Sequence, residues 1–283
     1  MAAALVQQAE KEMTRLFASQ ESKARAAAEC LVKAGHAHRH DGARLPAGNC
    51  FRHAAALYEQ GGCASAAART LKLAWVQLRD AGDAASAAEA IGRAVELMMQ
   101  VHKRYDAAVL LHEAAASTYS DHQYADSAAY FLRAAEAYAS DFQGSANASA
   151  CLARAASALA LTSPPDLAQA ARLFAQVGVV ALESPSRLAA WSCHRCFFSS
   201  VVCELAAGDV QRANAAWDTF AARDPSFAHS ANGNRARLLV SATDAEEFDR
   251  VCHSAWHQHL HLHLHPHLRL HLHLLEQPAR CTA

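Results

Sequence analysis

The chain has 283 residues, of which 52% are hydrophobic and only 7% aromatic, and its formal net charge is −1. Charges this well balanced leave no global field for nucleic acid or an acidic partner, and so few rings argue against a large β-sandwich or barrel core. Alanine dominates the apolar share, and it is the best helix former and the smallest side chain that still packs, so the composition points to an all-α protein.

From the start, Met1 to Val6 is a short apolar run that meets Gln7, Gln8 and Glu10 at once. It is too short for a secretory signal and lacks a basic flank. No stretch approaches the ~20 apolar residues that a membrane span needs. Next comes a polar stretch, Thr14 to Lys23, between two helical runs. Within it Leu16 and Phe17 stand beside Lys11, Arg15 and Lys23. Two readings apply: the pair dips into a bilayer interface while the cations meet anionic headgroups, or it packs the first helix onto the second. Composition alone favours the second. The basic excess here is mild, with 11 Lys/Arg against 7 Asp/Glu over residues 1–80 and 5 against 9 over 81–160.

His36, His38 and His40 cluster before Asp41-Gly42, where a helix C-terminus favours cations and capping explains them. The spacing predicts that Gly35 through Pro46 separates the first long helix from the second, that Gly61-Gly62 ends the next, and that Gly82-Asp83 combines a helix stop with an N-cap. Ser140 to Gly144, Ser163-Pro164-Pro165-Asp166, Ser184-Pro185-Ser186, Gly208-Asp209 and Asp224-Pro225 continue the punctuation. Between the breaks lie intervals of about 15–18 residues, one helix each.

A phrase of two small residues ahead of a larger apolar one recurs from 46, 86, 127, 169 and 214, in steps of 40, 41, 42 and 45. It includes Ser86-Ala87-Ala88, Ser127-Ala128-Ala129 and Gln169-Ala170-Ala171. A second series, at Ala66, Ala107, Ala148 and Ala189, falls between these. Two interleaved series with one step are the two helices of a repeated hairpin, the signature of a tetratricopeptide-like stack. Small residues let the helices of a hairpin approach, and Leu71, Trp75, Ile91, Leu97, Leu111 and Phe131 fill the grooves between hairpins.

The rhythm stops after Trp256. From His257 the chain alternates His and Leu, and eight of its 18 histidines lie there. Extended, that tract would present imidazoles on one side and could chelate zinc, copper or nickel. A lone strand broken by Pro266 is not stable, so the expected state is a disordered low-complexity tail. The nine cysteines form no framework and read as small, reduced, buried residues of a cytoplasmic protein. Cys193-His194-Arg195-Cys196 is the one C-x-x-C, with no second pair to complete a structural zinc site, so no metal or cofactor is expected. A metal or redox role through Cys193, Cys196 and the tail is the lesser alternative. Cys196 and Cys203 share a helix face suited to core packing. With no phosphate loop, no G-x-S-x-G and no H-E-x-x-H, nothing supports an enzyme.

In order and spacing, several segments resemble the soluble NSF attachment proteins, the alpha/beta type more than the gamma type. They are Glu21-Ser22-Lys23, Ala47-Gly48-Asn49-Cys50-Phe51-Arg52-His53-Ala54-Ala55, Gly144-Ser145-Ala146-Asn147 and Ala175-Gln176-Val177-Gly178. Leu182-Glu183-Ser184-Pro185, Phe197-Phe198 and Asp224-Pro225-Ser226-Phe227 complete the set, which covers about residues 5–252. The resemblance implies a twisted sheet of antiparallel helical hairpins over 1–180 with a membrane-touching loop near 14–22, a helical bundle over 181–256, and the His/Leu tail over 257–283. It implies an adaptor that binds SNARE four-helix bundles, recruits the NSF ATPase hexamer and sits peripherally on membranes. A generic tetratricopeptide-like scaffold for another ligand is the alternative. On the family's pattern Arg79, Arg104 and Arg154 fall at SNARE-facing basic positions, Arg195 matches more loosely, and Leu110 and Ala150 replace lysines. Leu16 and Phe17 fall in the membrane-contacting loop, which the family makes more hydrophobic. The family's last, acidic helix is replaced after Trp256, leaving Asp244, Glu246 and Glu247 as the NSF-facing acids, so SNARE binding is expected to outlast NSF activation.

Overall fold

The computed structural model describes residues 1–140, 144–184 and 187–241, with backbone alone for 187–191. Among these residues there is no strand, and the elements are helices throughout: α1 (Ala2–Met13), α2 (Gln20–His40), α3 (Arg44–Gln60), α4 (Ala64–Asp80), α5 (Ala84–Gln100) and α6 (Arg104–Ser120). There follow α7 (Tyr124–Ala139), α8 (Ser145–Leu159), α9 (Leu167–Glu183), α10 (Arg187–Ala206), α11 (Val210–Arg223), α12 (Pro225–His229) and α13 (Ala231–Ser241). They gather into two compact units, Met1–Ala114 and Ala115–Ala283.

Local chemistry sets the helix ends. Asp83, Asp166 and Asp209 each accept the backbone N–H three residues on, at 3.1, 3.0 and 2.8 Å, which satisfies one of the orphan donors of α5, α9 and α11. Ser19 does the same for α2 from Ser22 at 3.2 Å. The turns have a stricter beat than the sequence shows. A left-handed residue stands at 42, 62, 82, 102 and 122, one every 20 residues, with φ of 73, 68, 82, 59 and 61°. At each, the following N–H reaches back to the carbonyl five residues earlier, as in Ala43 to His38, Cys63 to Tyr58 and Lys103 to Met98. This is the C-terminal cap that calls for a left-handed residue. Glycine fills the first three positions, whereas His102 and His122 hold the same conformation with a Cβ, so those turns carried no glycine signal.

The expected break from Gly35 to Pro46 is shorter than its composition suggested. Gly35 lies inside α2 and Pro46 inside the first turn of α3, leaving residues 41–43 as the turn. Gly35 is there for packing: a Cβ on it would come 2.7 Å from the Phe51 ring. Pro46 is tolerated because N–H groups of a first turn have no intrahelical acceptor.

In the first unit the hairpins are antiparallel and tied by arginines. Arg25, near the start of α2, donates to the Gly61 carbonyl at the end of α3 (2.7 Å), and Arg44, at the start of α3, donates to the Asp80 carbonyl at the end of α4 (3.0 Å). Between alternate helices α3 and α5, Arg52 reaches Ser86 and Glu89 (3.0 and 3.1 Å), and Glu59 meets Arg93. The core behind these ties is largely alanine (Ala27, Ala34, Ala47, Ala54, Ala67 and Ala74 are fully buried) around Phe51, Leu78 and Ile91. In the second unit α7, α8, α9 and α10 pack in succession, and α11 to α13 close over α10. The core there changes character: Phe197 stacks on Phe220 with centroids 4.2 Å apart and meets Phe227 edge-on at 5.5 Å. The residues expected to fill the grooves, Leu71, Trp75, Ile91, Leu97, Leu111 and Phe131, are all buried.

Candidate functional site

The four arginines singled out from the sequence fall two to each unit. In the first, Arg79 stands in the last turn of α4, and its Nε and Nη2 both donate to Asp80 Oδ1, at 3.0 and 2.6 Å. Its guanidinium also lies 5.2 Å from the centre of the Trp75 ring. Arg79 is therefore pre-oriented on an aromatic face but engaged by its neighbour. Arg104 is exposed as the first residue of α6, where the helix dipole disfavours a cation. The position thus contributes nothing to helix stability. Midway between them Lys72 of α4 pairs with Glu113 of α6 at 2.6 Å. Measured from that pair at ~1.5 Å per residue, Arg79 and Arg104 lie about 24 Å apart along parallel helices.

In the second unit Arg154 is exposed on α8 with its guanidinium 5.2 Å from the Phe131 ring centre. Arg195 is exposed on α10, between the buried Cys193 and Cys196. Replacement of family lysines by Leu110 and Ala150 has different consequences at the two sites: Leu110 is 1% exposed and belongs to the core, whereas Ala150 faces solvent.

Leu16 and Phe17 occupy the connection between α1 and α2 and are 88% and 102% exposed. They do not pack α1 onto α2, contrary to the reading that composition favoured. That contact is made by Ala9, Ala27, Ala28 and Leu31, with Val6 and Met13 at its margin. Of the cations nearby, Arg15 pairs with Glu12 at 2.8 Å, Lys11 is exposed and Lys23 half-buried. Helix α2 begins at Gln20, so Gln20 to Lys23 belong to the helix, not to the loop. The acids expected to face NSF (Asp244, Glu246 and Glu247) and the His/Leu tail lie outside the described residues.

Helix α10 also holds a polar group inside its apolar surroundings. His194 Nε2 lies 2.7 Å from Asp224 Oδ2, and the Cys193 thiol points at the same oxygen at 3.9 Å. Asp224 is the N-cap of α12, its Oδ1 accepting from the Ser226 N–H at 3.0 Å and from Ser226 Oγ at 2.7 Å. Burial alone would raise the Asp224 carboxyl, but the bonds from Ser226 and His194 outweigh it and hold it below the usual carboxylate range. Burial and the Asp224 charge push the Cys193 thiol up to about 11. Cys196 does not join this group. It packs behind Gly178, and with Cys203 it behaves as the small core residue expected. Burial holds the Cys203 thiol up at about 12. The sequence signal for the cluster was Asp224-Pro225, read as a break between helices and as part of the family resemblance because its partners lie 30 residues earlier.

His36, at the end of α2 as expected, packs edge-on against Phe51 at 5.1 Å. Desolvation and the neighbouring Arg39 lower its pKa, so it is a neutral packing residue rather than a capping cation. The described cysteines are all free thiols. No helix among the described residues is long and apolar enough to cross a membrane.

Comparison with known families decides the identity. The model of the soluble NSF attachment protein family, SNAP, matches residues 1–255. The chain belongs to that family. No curated protein matches the chain. The SNAP match takes in every helix described above and ends just before the His/Leu tract. SNAP proteins are non-enzymatic adaptors.

Proposed function

We propose that the chain is an adaptor that binds SNARE four-helix bundles and recruits the NSF ATPase hexamer to them, in vesicle fusion and intracellular transport, working in the cytoplasm and peripherally on membranes. The observation that carries this reading is SNAP-family membership over residues 1–255. Arg79, Arg104, Arg154 and Arg195 are the SNARE-facing cations, each able to offer a guanidinium fork to the acidic surface of a helical rod. The axial separation of about 24 Å between Arg79 and Arg104 suits a ligand as extended as a helix bundle of ~16 residues per strand. Each contact is weak, so affinity comes from several at once.

Leu16 and Phe17 are the membrane contact. Their exposure costs nothing in folding if they are lost and offers two apolar side chains to an interface, with Lys11 beside them. Asp244, Glu246 and Glu247 are the NSF-facing acids, and with the His/Leu tract following Trp256, SNARE binding is stronger than NSF stimulation.

Two measurements test this. Pull-down on a soluble SNARE bundle should weaken steadily as salt rises, since exposed charge pairs are screened within a Debye length of about 10 Å at 0.1 M. Salt-independent capture, or none, contradicts the SNARE-binding reading and leaves a scaffold for another ligand. In parallel, NSF ATPase activity with the captured complex should rise only weakly; full stimulation contradicts the assignment of impaired NSF engagement.

A further inference from the structure

We propose that Cys193, His194 and Asp224 form a binding site for a single divalent transition-metal cation of the zinc type. The three residues come from two elements, α10 and the N-cap of α12, and their ligand atoms all lie within 4.8 Å of one another. One sulfur, one imidazole nitrogen and one carboxylate oxygen make a donor set that suits zinc. Three protein ligands with one position left for water is the arrangement of an accessible zinc site, and Ser226, whose Oγ lies 3.3 Å from His194 Nε2, stands at the open side.

The site is pre-formed by its second layer. Ser226 occupies Asp224 Oδ1 with both its N–H and its hydroxyl, so Oδ2 is the oxygen turned toward the other two donors. The His194 ring is held against Phe227, with centroids 5.7 Å apart. Cys193 is fully buried, while the His194 and Asp224 side chains keep 19% and 11% exposure, enough for an ion to enter from one side.

Little has to move. Bonds of about 2.0–2.3 Å in a tetrahedron place ligand atoms about 3.3–3.8 Å apart. The sulfur and Oδ2 already stand 3.9 Å apart, His194 Nε2 must withdraw from its present 2.7 Å to Oδ2 by less than about 1 Å, and the sulfur and Nε2, which lie within 4.8 Å, must close by at most about 1.3 Å. The chemistry is ligand exchange without redox change. The cation accepts lone pairs from the Cys193 sulfur, His194 Nε2 and Asp224 Oδ2; the thiol proton leaves to solvent, and the imidazole proton resides on Nδ1. The pairing differs from the one its sequence motif suggests, because Cys196 is turned to Gly178 and Asp224 takes its place. An occupied site would lock α10 to α12 and stiffen the aromatic core beside it.

Cobalt titration of the full chain tests the assignment, because a thiolate ligand gives cobalt(II) a near-ultraviolet charge-transfer band that imidazole ligands do not. Imidazoles of the His/Leu tract can bind cobalt but are silent in that band, and the two thiols beside the tract are removed by making the titration, and every variant below, in a Cys252→Ser, Cys281→Ser background. The expected result is a band that saturates at one cobalt per chain, is displaced by zinc, survives Cys196→Ser, and is lost in Cys193→Ser and Asp224→Asn. Circular dichroism reports whether each variant folds; should the buried Cys193→Ser fail to fold, Asp224→Asn, which keeps the side chain's shape, bears the test. No thiolate band in that background, or an undiminished band in folded Cys193→Ser or Asp224→Asn, overturns the proposal.

Discussion

The α2–α5 hairpins and the cluster around α10 solve one packing problem with opposite materials. In the first, alanines and glycines bring backbones together around isolated large residues, and arginines at the starts of successive helices hold the register from outside. In the second, three phenylalanines stack across α10, α11 and α12 and the register is held from inside, by Asp224. Both use one device: a glycine on one helix receives a phenylalanine of the next, Gly35 with Phe51 and Gly178 with Phe197. A small-residue hairpin spreads its stability over many weak contacts, whereas the aromatic core concentrates it in a few.

That contrast can be broken at its strongest point. Phe197→Ala removes a fully buried ring at the centre of the aromatic cluster and should cost about 3–5 kcal/mol, read as a lower urea midpoint. A loss under about 1 kcal/mol would mean that the cluster is not where stability is concentrated. Gly35→Val should cost about 1–3 kcal/mol by driving a branched side chain into the Phe51 ring. Equal stability would show that the hairpin can open to accept it.

Acid should separate the regions in a third way. The Asp224 carboxyl is depressed in the folded state, so its contribution is present above the ordinary carboxylate pKa and disappears as pH falls through the folded value. In Asp224→Asn that part of the acid loss should be absent, seen as a flatter dependence of melting temperature on pH below about 5. Smallest and opposite in sign is His102→Gly. It relieves a left-handed residue and should be neutral or stabilising by up to about 1 kcal/mol, whereas His122→Gly should gain less, because His122 Nδ1 is 2.8 Å from the Tyr124 hydroxyl. Thermal melts of the two variants side by side give the comparison.

How much of this was legible in the sequence follows from the same contrast. The hairpins were, because a repeated phrase of small residues is a linear signal and each Gly-Asp pair marks a helix end and the next cap. The strict 20-residue beat was not, since His102 and His122 occupy glycine positions and give no warning. The Gly35–Pro46 break was overdrawn because neither residue breaks a helix there: one is packed against a ring and the other sits in a first turn. The exposed loop of Leu16 and Phe17 was visible as a gap, but its exposure depended on Ala9, Ala27, Ala28 and Leu31 taking over the α1–α2 contact. The Cys193–His194–Asp224 group was beyond reach, because its partners are 30 residues apart and only the turn into α12 brings them together.

The proposed function is that this SNAP-family chain grips a SNARE bundle through four arginines. It is tested most directly by the equilibrium affinity of the full chain for a soluble SNARE four-helix bundle, compared with the Arg79→Ala, Arg104→Ala, Arg154→Ala, Arg195→Ala quadruple variant. With each exposed contact contributing ~0.3–0.7 kcal/mol, the variant should bind about 10–100-fold more weakly while keeping the wild-type melting temperature within a few degrees. An unchanged affinity in a folded variant would contradict the account.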